Sequence, residues 1–217
     1  YTNSDPSIIT YAKLTSLITK VNGKLSDGTY NGVNYTTASI AKLRQALIAA
    51  SAVKDTAQTS EIETAYNNLK TASTVSQEGL ITATKHITGC FTQEQQNKGD
   101  ITGSGWYADG DTVTLKATPR LGYVFSKWSN TSEGTAISGA GAEYSFVVNT
   151  ATPTDYFVWF GNVPYTLNIT SAVGGTASIT AGEKSGYDYG DNVTVKAVAS
   201  ANYQFVNWQT ENGVVLS

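Results

Sequence analysis

The sequence predicts a multidomain chain with an α part followed by an all-β part: one three-helix bundle, then two tandem small β modules. Two observations carry this reading. Apolar residues recur at spacings of three and four through the first third of the 217 residues, and at spacings of two in the β-branched, aromatic stretches beyond residue 80. The β part also repeats itself, because the run from Tyr107 to Trp128 recurs without gaps as Tyr187 to Trp208. Self-similarity at a long period marks one structural unit copied in tandem.

The helices follow in order. In "SDPSIITYAKLTSLITKVNGKL", Asp5 is placed to cap a helix with Pro6 at its first position, and Leu14, Leu17, Ile18, Val21 and Leu25 share one face. A Gly- and Asn-rich loop over residues 26–35 precedes "TTASIAKLRQALIAASAV", whose Thr pair opens a second helix striped by Ile40, Leu43, Leu47 and Ala50. The third helix, in "TSEIETAYNNLKTAS", has Ser60 and Glu63 at capping-box spacing, with Ile62, Ala65, Tyr66, Leu69 and Ala72 on one face. Three amphipathic helices with short connections bury their stripes only against one another, which predicts an antiparallel bundle over residues 1–77.

The strands come next. "DTVTLKAT" (111–118) and "DNVTVKAV" (191–198) set Val113, Leu115 and Ala117, and Val193, Val195 and Ala197, on one face of half-buried strands. "YTLNITSAVGGTASIT" places two alternating runs about Gly174 and Gly175 and predicts a hairpin or a longer bulged turn. "AEYSFVV" and "DYFVWF" are two more strands, the second apolar on both faces and therefore expected inside a sheet. The expected modules are residues 78–162 and 163–217. At the shift of 80 Ser217 corresponds to Ile137, so the second module is expected to be truncated, lacking its last two strands: either the parent chain continues or an open sheet edge is left.

Two resemblances rest on these residues. The order of a first helix, "NYTTAS", "LRQALIAASAV" and "SEIETAYNNLKTA" resembles the FIVAR module over roughly residues 8–74, which implies a spacer or accessory bundle in large bacterial surface proteins and secreted carbohydrate-active enzymes. "YADGDTVTLKATPRLGYVFSKW" resembles the divergent internalin B-repeat, and the first copy keeps Pro119 and Gly122 where the second has Ala199 and Asn202. Asn tolerates the left-handed turn expected there, so the fold should survive that departure. The resemblance implies a compact β-grasp-like or small sandwich unit on bacterial surface proteins, with binding roles suspected and no catalysis.

Composition narrows the function. A net charge of −3 with 14% charged residues leaves no broad basic face, so nucleic acid and anionic lipid are not expected partners. Beyond the first helices the longest apolar stretch, "YFVWF", is far too short to span a membrane. The Thr, Ser, Asn, Gly and Tyr surface fits a wall-exposed bacterial protein, and the chain reads as a portion of something longer, cell-surface or secreted. One cysteine, Cys90, excludes an internal disulfide and is expected as a small buried hydrophobe.

Chemistry is limited by what is missing. His86 is the one imidazole, so a histidine-rich metal site is excluded and any Ser-His-Asp set would have to pass through a residue expected on a polar strand edge. Glu61 and Glu63 favour a helix N-terminus; Asp109 and Asp111 fall in a turn with Gly110, a better turn than a calcium site. No metal, cofactor or catalytic residue is expected. Lys116 and Lys196 could join an isopeptide bond, but strand alternation turns both away from the apolar face and favours solvated side chains.

The remaining candidates are aromatic. Trp106, Tyr107, Tyr187 and Tyr189 sit in expected turns, where a ring could stack on a sugar; Tyr107 and Tyr187 recur in register, which favours rings that cover the sheet end, and Trp106, which does not recur, is the expected solvent-facing ring. Tyr123, Phe125 and Trp128, with Tyr203, Phe205 and Trp208, are expected as core, because disulfide-free modules need large apolar burial. The reading is a monomeric, non-catalytic spacer and presentation segment. The alternatives are an adhesion or carbohydrate-binding module for glycans or a host extracellular-matrix protein, and an accessory region of a carbohydrate-active enzyme.

Overall fold

The computed structural model describes residues 7–216. The chain divides into two compact units, one holding residues up to 118 together with 125–159, the other 119–124 together with residues from 160 onward.

The first unit opens with α1 (Tyr11–Ser26), α2 (Thr37–Ala52) and α3 (Thr59–Ala72). Thr10 caps α1, its hydroxyl accepting from the Lys13 N–H at 3.3 Å; the expected Asp5 cap and Pro6 lie outside the described residues. Thr36 caps α2, accepting from the Ser39 N–H at 3.3 Å, so the Thr pair divides into a cap and a first helical residue. The expected Ser60–Glu63 capping box does not form: α3 starts two residues earlier behind Gln58, which puts Ser60 inside the first turn.

All three predicted stripes face inward. Leu14, Val21, Ile40, Leu43, Leu47, Ala50, Ile62, Leu69 and Ala72 form one buried cluster, with Leu14, Leu43 and Leu69 wholly enclosed. Each such leucine contributes roughly 2 kcal/mol of burial. Tyr30 and Leu80 join the cluster from outside the helices. The Tyr30 hydroxyl donates to the Ser73 carbonyl at 3.0 Å. Residues 80–83 are stitched to the bundle past the expected boundary at 77, because the Thr36 N–H donates to the Ile81 carbonyl and the Ala83 N–H to that of Asn34, at 2.8 and 3.0 Å.

Seven strands follow: β1 (Lys85–Phe91), β2 (Gly99–Thr102), β3 (Gly105–Tyr107), β4 (Thr112–Pro119), β5 (Tyr123–Ser129), β6 (Glu143–Val147) and β7 (Asp155–Asn162). They form a four-stranded sheet, β3-β1-β7-β5, and a three-stranded one, β2-β4-β6. β1 runs antiparallel to β3 and parallel to β7, from Thr88↔Asp155 to Phe91↔Val158. β4 runs antiparallel to β6 from Thr112↔Val147 to Lys116↔Glu143. The inner faces meet through Phe146 of β6 and Tyr156 of β7, stacked at 4.6 Å, with Tyr144 beside both. Burial on β4 alternates as predicted, with Val113, Leu115 and Ala117 inside. "DYFVWF" takes the interior position expected of it, with Tyr156, Val158 and Phe160 buried and Phe157 and Trp159 half-buried opposite.

In the second unit β8 (Gly175–Ala181) pairs antiparallel with β9 (Thr194–Ala199), starting at Gly175↔Ala199. The hairpin or bulged turn expected about Gly174 and Gly175 is therefore absent among the described residues, since β8 takes β9 as its partner and the run 166–171 is not a strand. Copy one explains this outcome. There the counterpart run, β1, is held between β3 and β7, and β5 lies on the far side of β7. Residues 165–171 and 203–209, the counterparts of β1 and β5, keep isolated bridges in place of strands: Tyr165↔Tyr187, which repeats Lys85↔Tyr107, and Gln209↔Val215. The stretch 138–160, which carries β6 and β7, has no counterpart within the 217 residues.

Candidate functional site

The aromatic trio has different fates in the two copies. Trp128 is wholly buried, its indole N–H donating to the Gly141 carbonyl at 3.0 Å and its ring lying 6.2 Å from that of Phe125. Tyr123 and Phe125 are half-buried. In copy two the core expectation fails for Tyr203 and Phe205, which are 57% and 50% exposed, while Trp208 is half-buried and 5.7 Å from Phe205. The cause is the missing cover. Gly141, the acceptor for Trp128, and the strands after it belong to the stretch without a counterpart.

The four candidate ligand rings are mostly engaged. Trp106 and Tyr107 lie in strand β3 rather than a turn, and both are half-buried. The Trp106 backbone N–H donates to the Thr37 hydroxyl of α2 at 2.7 Å, and its ring lies 4.9 Å from that of His86. A Cβ at Gly32, in the loop after α1, would stand 3.3 Å from the indole. The expected solvent-facing ring is thus wedged between the bundle and the sheet. Tyr107 donates its hydroxyl to the Gly103 carbonyl at 2.5 Å, and burial, with the Asp111 charge behind it, pushes its phenol above the ordinary value. Tyr187 is buried at 7% exposure and exchanges two backbone hydrogen bonds with Tyr165, at 2.8 and 2.9 Å. Tyr189 is 58% exposed, yet its Cγ stands only 2.8 Å from where a Cβ on Gly122 would be.

The Gly-Asp turns before β4 and β9 are self-contained. Gly110 and Gly190 take φ of +89° and +91°, the left-handed conformation a glycine adopts at least cost. Asp111 accepts from the Ala108 N–H at 2.9 Å, and Asp191 from that of Asp188 at 2.6 Å. In copy two Lys184 also pairs with Asp191, and this hydrogen bond holds the carboxyl below the usual carboxylate range. These carboxylates are spent on the turn's own backbone.

The other reactive side chains stand apart. His86 lies within β1, a strand flanked by β3 and β7 rather than an edge, and its Nδ1 is 3.0 Å from the Thr88 hydroxyl. Cys90 is half-buried rather than enclosed, because it lies on the outer face of β1 beside Asp155; burial and the Asp155 charge push its thiol up. Lys116 faces Glu143 across the β4–β6 ladder at 3.9 Å, both side chains more than half exposed. Lys196 is exposed on β9. Among the described residues no group of three or more His, Cys, Asp or Glu could hold a metal ion.

Sequence reading missed two positioning residues. Thr37 carries no signal beyond helix opening, yet it fixes β3. Lys85 donates to the carbonyls of Asn149, Thr150 and Thr152, at 2.8, 3.1 and 2.7 Å, and so clasps the β6–β7 loop. Its replacement by Tyr165 in copy two was the legible clue, since it marks a position where the copies differ in chemistry.

A helical bundle packed on an aromatic-cored β module, followed by a second copy of that module's sequence, defines a tandem-repeat segment. The chain belongs to the divergent InlB B-repeat domain family, which matches residues 91–155 and 165–217, more than half of its length. This is a family of bacterial surface repeats, typically non-catalytic. The matched ranges follow the two copies and leave out the bundle. No curated protein and no solved structure was found to match the chain. Among the described residues no helix is long and apolar enough to cross a membrane.

Proposed function

We propose that the chain is a spacer and presentation segment of a bacterial cell-surface or secreted protein, with a FIVAR-like bundle serving as the helical spacer ahead of the repeats. The observation that carries this reading is the use of the conspicuous rings. The Trp106 ring packs beside His86 and against Gly32 of the bundle's first loop, Tyr107 and Tyr187 are tied into their sheets, and Trp128 fills a core. Rings spent on internal packing support a mechanical role over a ligand platform. The family membership supports a surface location, and the bundle's three short helices support the FIVAR likeness.

One observation favours a second reading. Tyr189 presents a ring 58% exposed beside the Gly-Asp turn, the geometry of a side chain that stacks on a sugar. An array of glycans and host matrix proteins probed with the whole chain separates the two. The spacer reading expects no specific binding. Specific glycan binding that disappears in Tyr189→Ala overturns it in favour of a carbohydrate-binding or adhesion module.

A further inference from the structure

Tension along a chain enters and leaves each module through the chain itself. In the first β module it enters at the start of β1, which follows the bundle, and leaves at the end of β7, which precedes the second copy. These two strands are neighbours, although the rest of the module lies between them in sequence. They run parallel, paired from Thr88↔Asp155 to Phe91↔Val158, and the Thr88 N–H also donates to the Thr154 carbonyl at 2.7 Å. Pulling parallel neighbours from opposite ends drives them along their own axes. The evenly spaced bonds of the ladder are then strained together, whereas strands drawn apart from one end lose them one at a time.

Three features reinforce the pair. Both strands are interior in the order β3-β1-β7-β5, so each has its far edge paired as well. Rings flank β7 on both faces, Tyr156 stacked on Phe146 inside and Phe157 beside Trp159 outside, and they shield its hydrogen bonds from water. Lys85, at the entry of β1, donates to three carbonyls of the loop that leads into β7. The strands therefore cannot slide without also breaking a charge-assisted clasp.

We infer that the first β module is a load-bearing clamp, in which the parallel β1–β7 pair resists extension of the chain by shear. The spacer reading supplies the source of the load, and the inference rests on it for that alone. The directional strength belongs to the strand pair, so glycan binding on the array would sink the spacer reading and leave the strength to be measured separately.

The test stretches single molecules of the whole chain, with Cys90→Ser so that introduced thiols alone carry the handles. Handles at Thr84→Cys and Asn162→Cys load the pair in shear. Moving the first handle to Gln93→Cys, at the other end of β1, loads the same pair as a peel. All three positions are exposed and lie outside the strands or at a strand end, so the same fold is loaded both ways. Forced unfolding follows the unfolding rate along the loaded direction, and the shear geometry is expected to rupture at several times the force of the peel. That rupture should release residues 85–162 in one step, roughly 250 Å of chain. Equal forces in the two geometries, a stronger peel, or a shear rupture that frees only part of that length would overturn the inference.

Discussion

Positions 122 and 202 hold the same place in the two copies, and both adopt the left-handed region, Gly122 at φ +89° and Asn202 at φ +68°. Asn202 is the one non-glycine residue at positive φ among the described residues, as its substitution for glycine in the repeat led one to expect. The two positions are nevertheless not interchangeable. A Cβ on Gly122 would crowd the Tyr189 side chain, an obstacle added to the left-handed φ that both positions share. Gly122→Asn should therefore cost about 1–3 kcal/mol in urea unfolding, the range for overpacking. Asn202→Gly should change stability by under ~1 kcal/mol. Equal, small effects at both positions would show that Tyr189 is not seated on Gly122. Tyr156 gives a second test at this scale. Burial between the sheets, with Tyr144 adding a smaller push, raises its phenol from 10.0 to about 12. A raised value means the folded state favours the neutral phenol, so its contribution is fully present below the unfolded value near 10 and is lost as pH rises through about 12. Tyr156→Phe should remove absorbance change from the alkaline end of a spectrophotometric titration and flatten the loss of stability there.

At the scale of elements the internal repeat acts as its own control. β7 is apolar on both faces and holds β1 and β5 as neighbours; where no counterpart exists, the matched runs 165–171 and 203–209 are not strands although their sequences alternate as well as before. Alternation states which face a residue would present, but a strand also needs a partner for its backbone groups. This separates what was legible from what was not. The helix stripes, β4, β6 and β7 could be read because each carries its own periodicity, and Trp128 because its ring had no outward use. The exposure of Tyr203 and Phe205 could not be read from their own neighbourhood, which copies that of Tyr123 and Phe125. It follows from a stretch further along the chain. Nor could the engagement of Trp106, since its partners His86 and Thr37 are remote in sequence and neither belongs to a recognisable pattern. The same comparison predicts unequal costs. Trp128→Ala should cost about 3–5 kcal/mol and unfold its module, as deletion of a large buried ring does. Trp208→Ala, half-buried and without the Gly141 bond, should cost about 1 kcal/mol. Near-UV circular dichroism with chemical denaturation reads both, and equal losses would mean that copy two packs its ring as copy one does.

For the whole molecule the decisive contact is the joint between bundle and first β module, which places both in one compact unit. Residues 80–83 pair along 34–36, the Thr84 N–H donates to the Tyr107 carbonyl at 2.8 Å, and the Trp106 backbone N–H donates to the Thr37 hydroxyl at 2.7 Å. Gly105 makes that approach feasible, because a Cβ there would meet the Cβ of Thr37 at 3.2 Å. A flexible linker would show none of these; a spacer that transmits orientation from one module to the next needs all of them. The bundle and the module should therefore unfold together, giving one calorimetric transition distinct from that of the second unit. Trp106→Ala removes the indole wedge while leaving the bundle stripes and the β4–β7 core untouched, so it should split that transition in two with each helical and β component still folded at 25 °C. The separation is expected to reflect about 2–4 kcal/mol of lost coupling, the scale of a large ring packed across an interface. Two separate transitions already present in the wild-type chain would show that the joint carries no cooperativity and that the bundle and module move as independent beads.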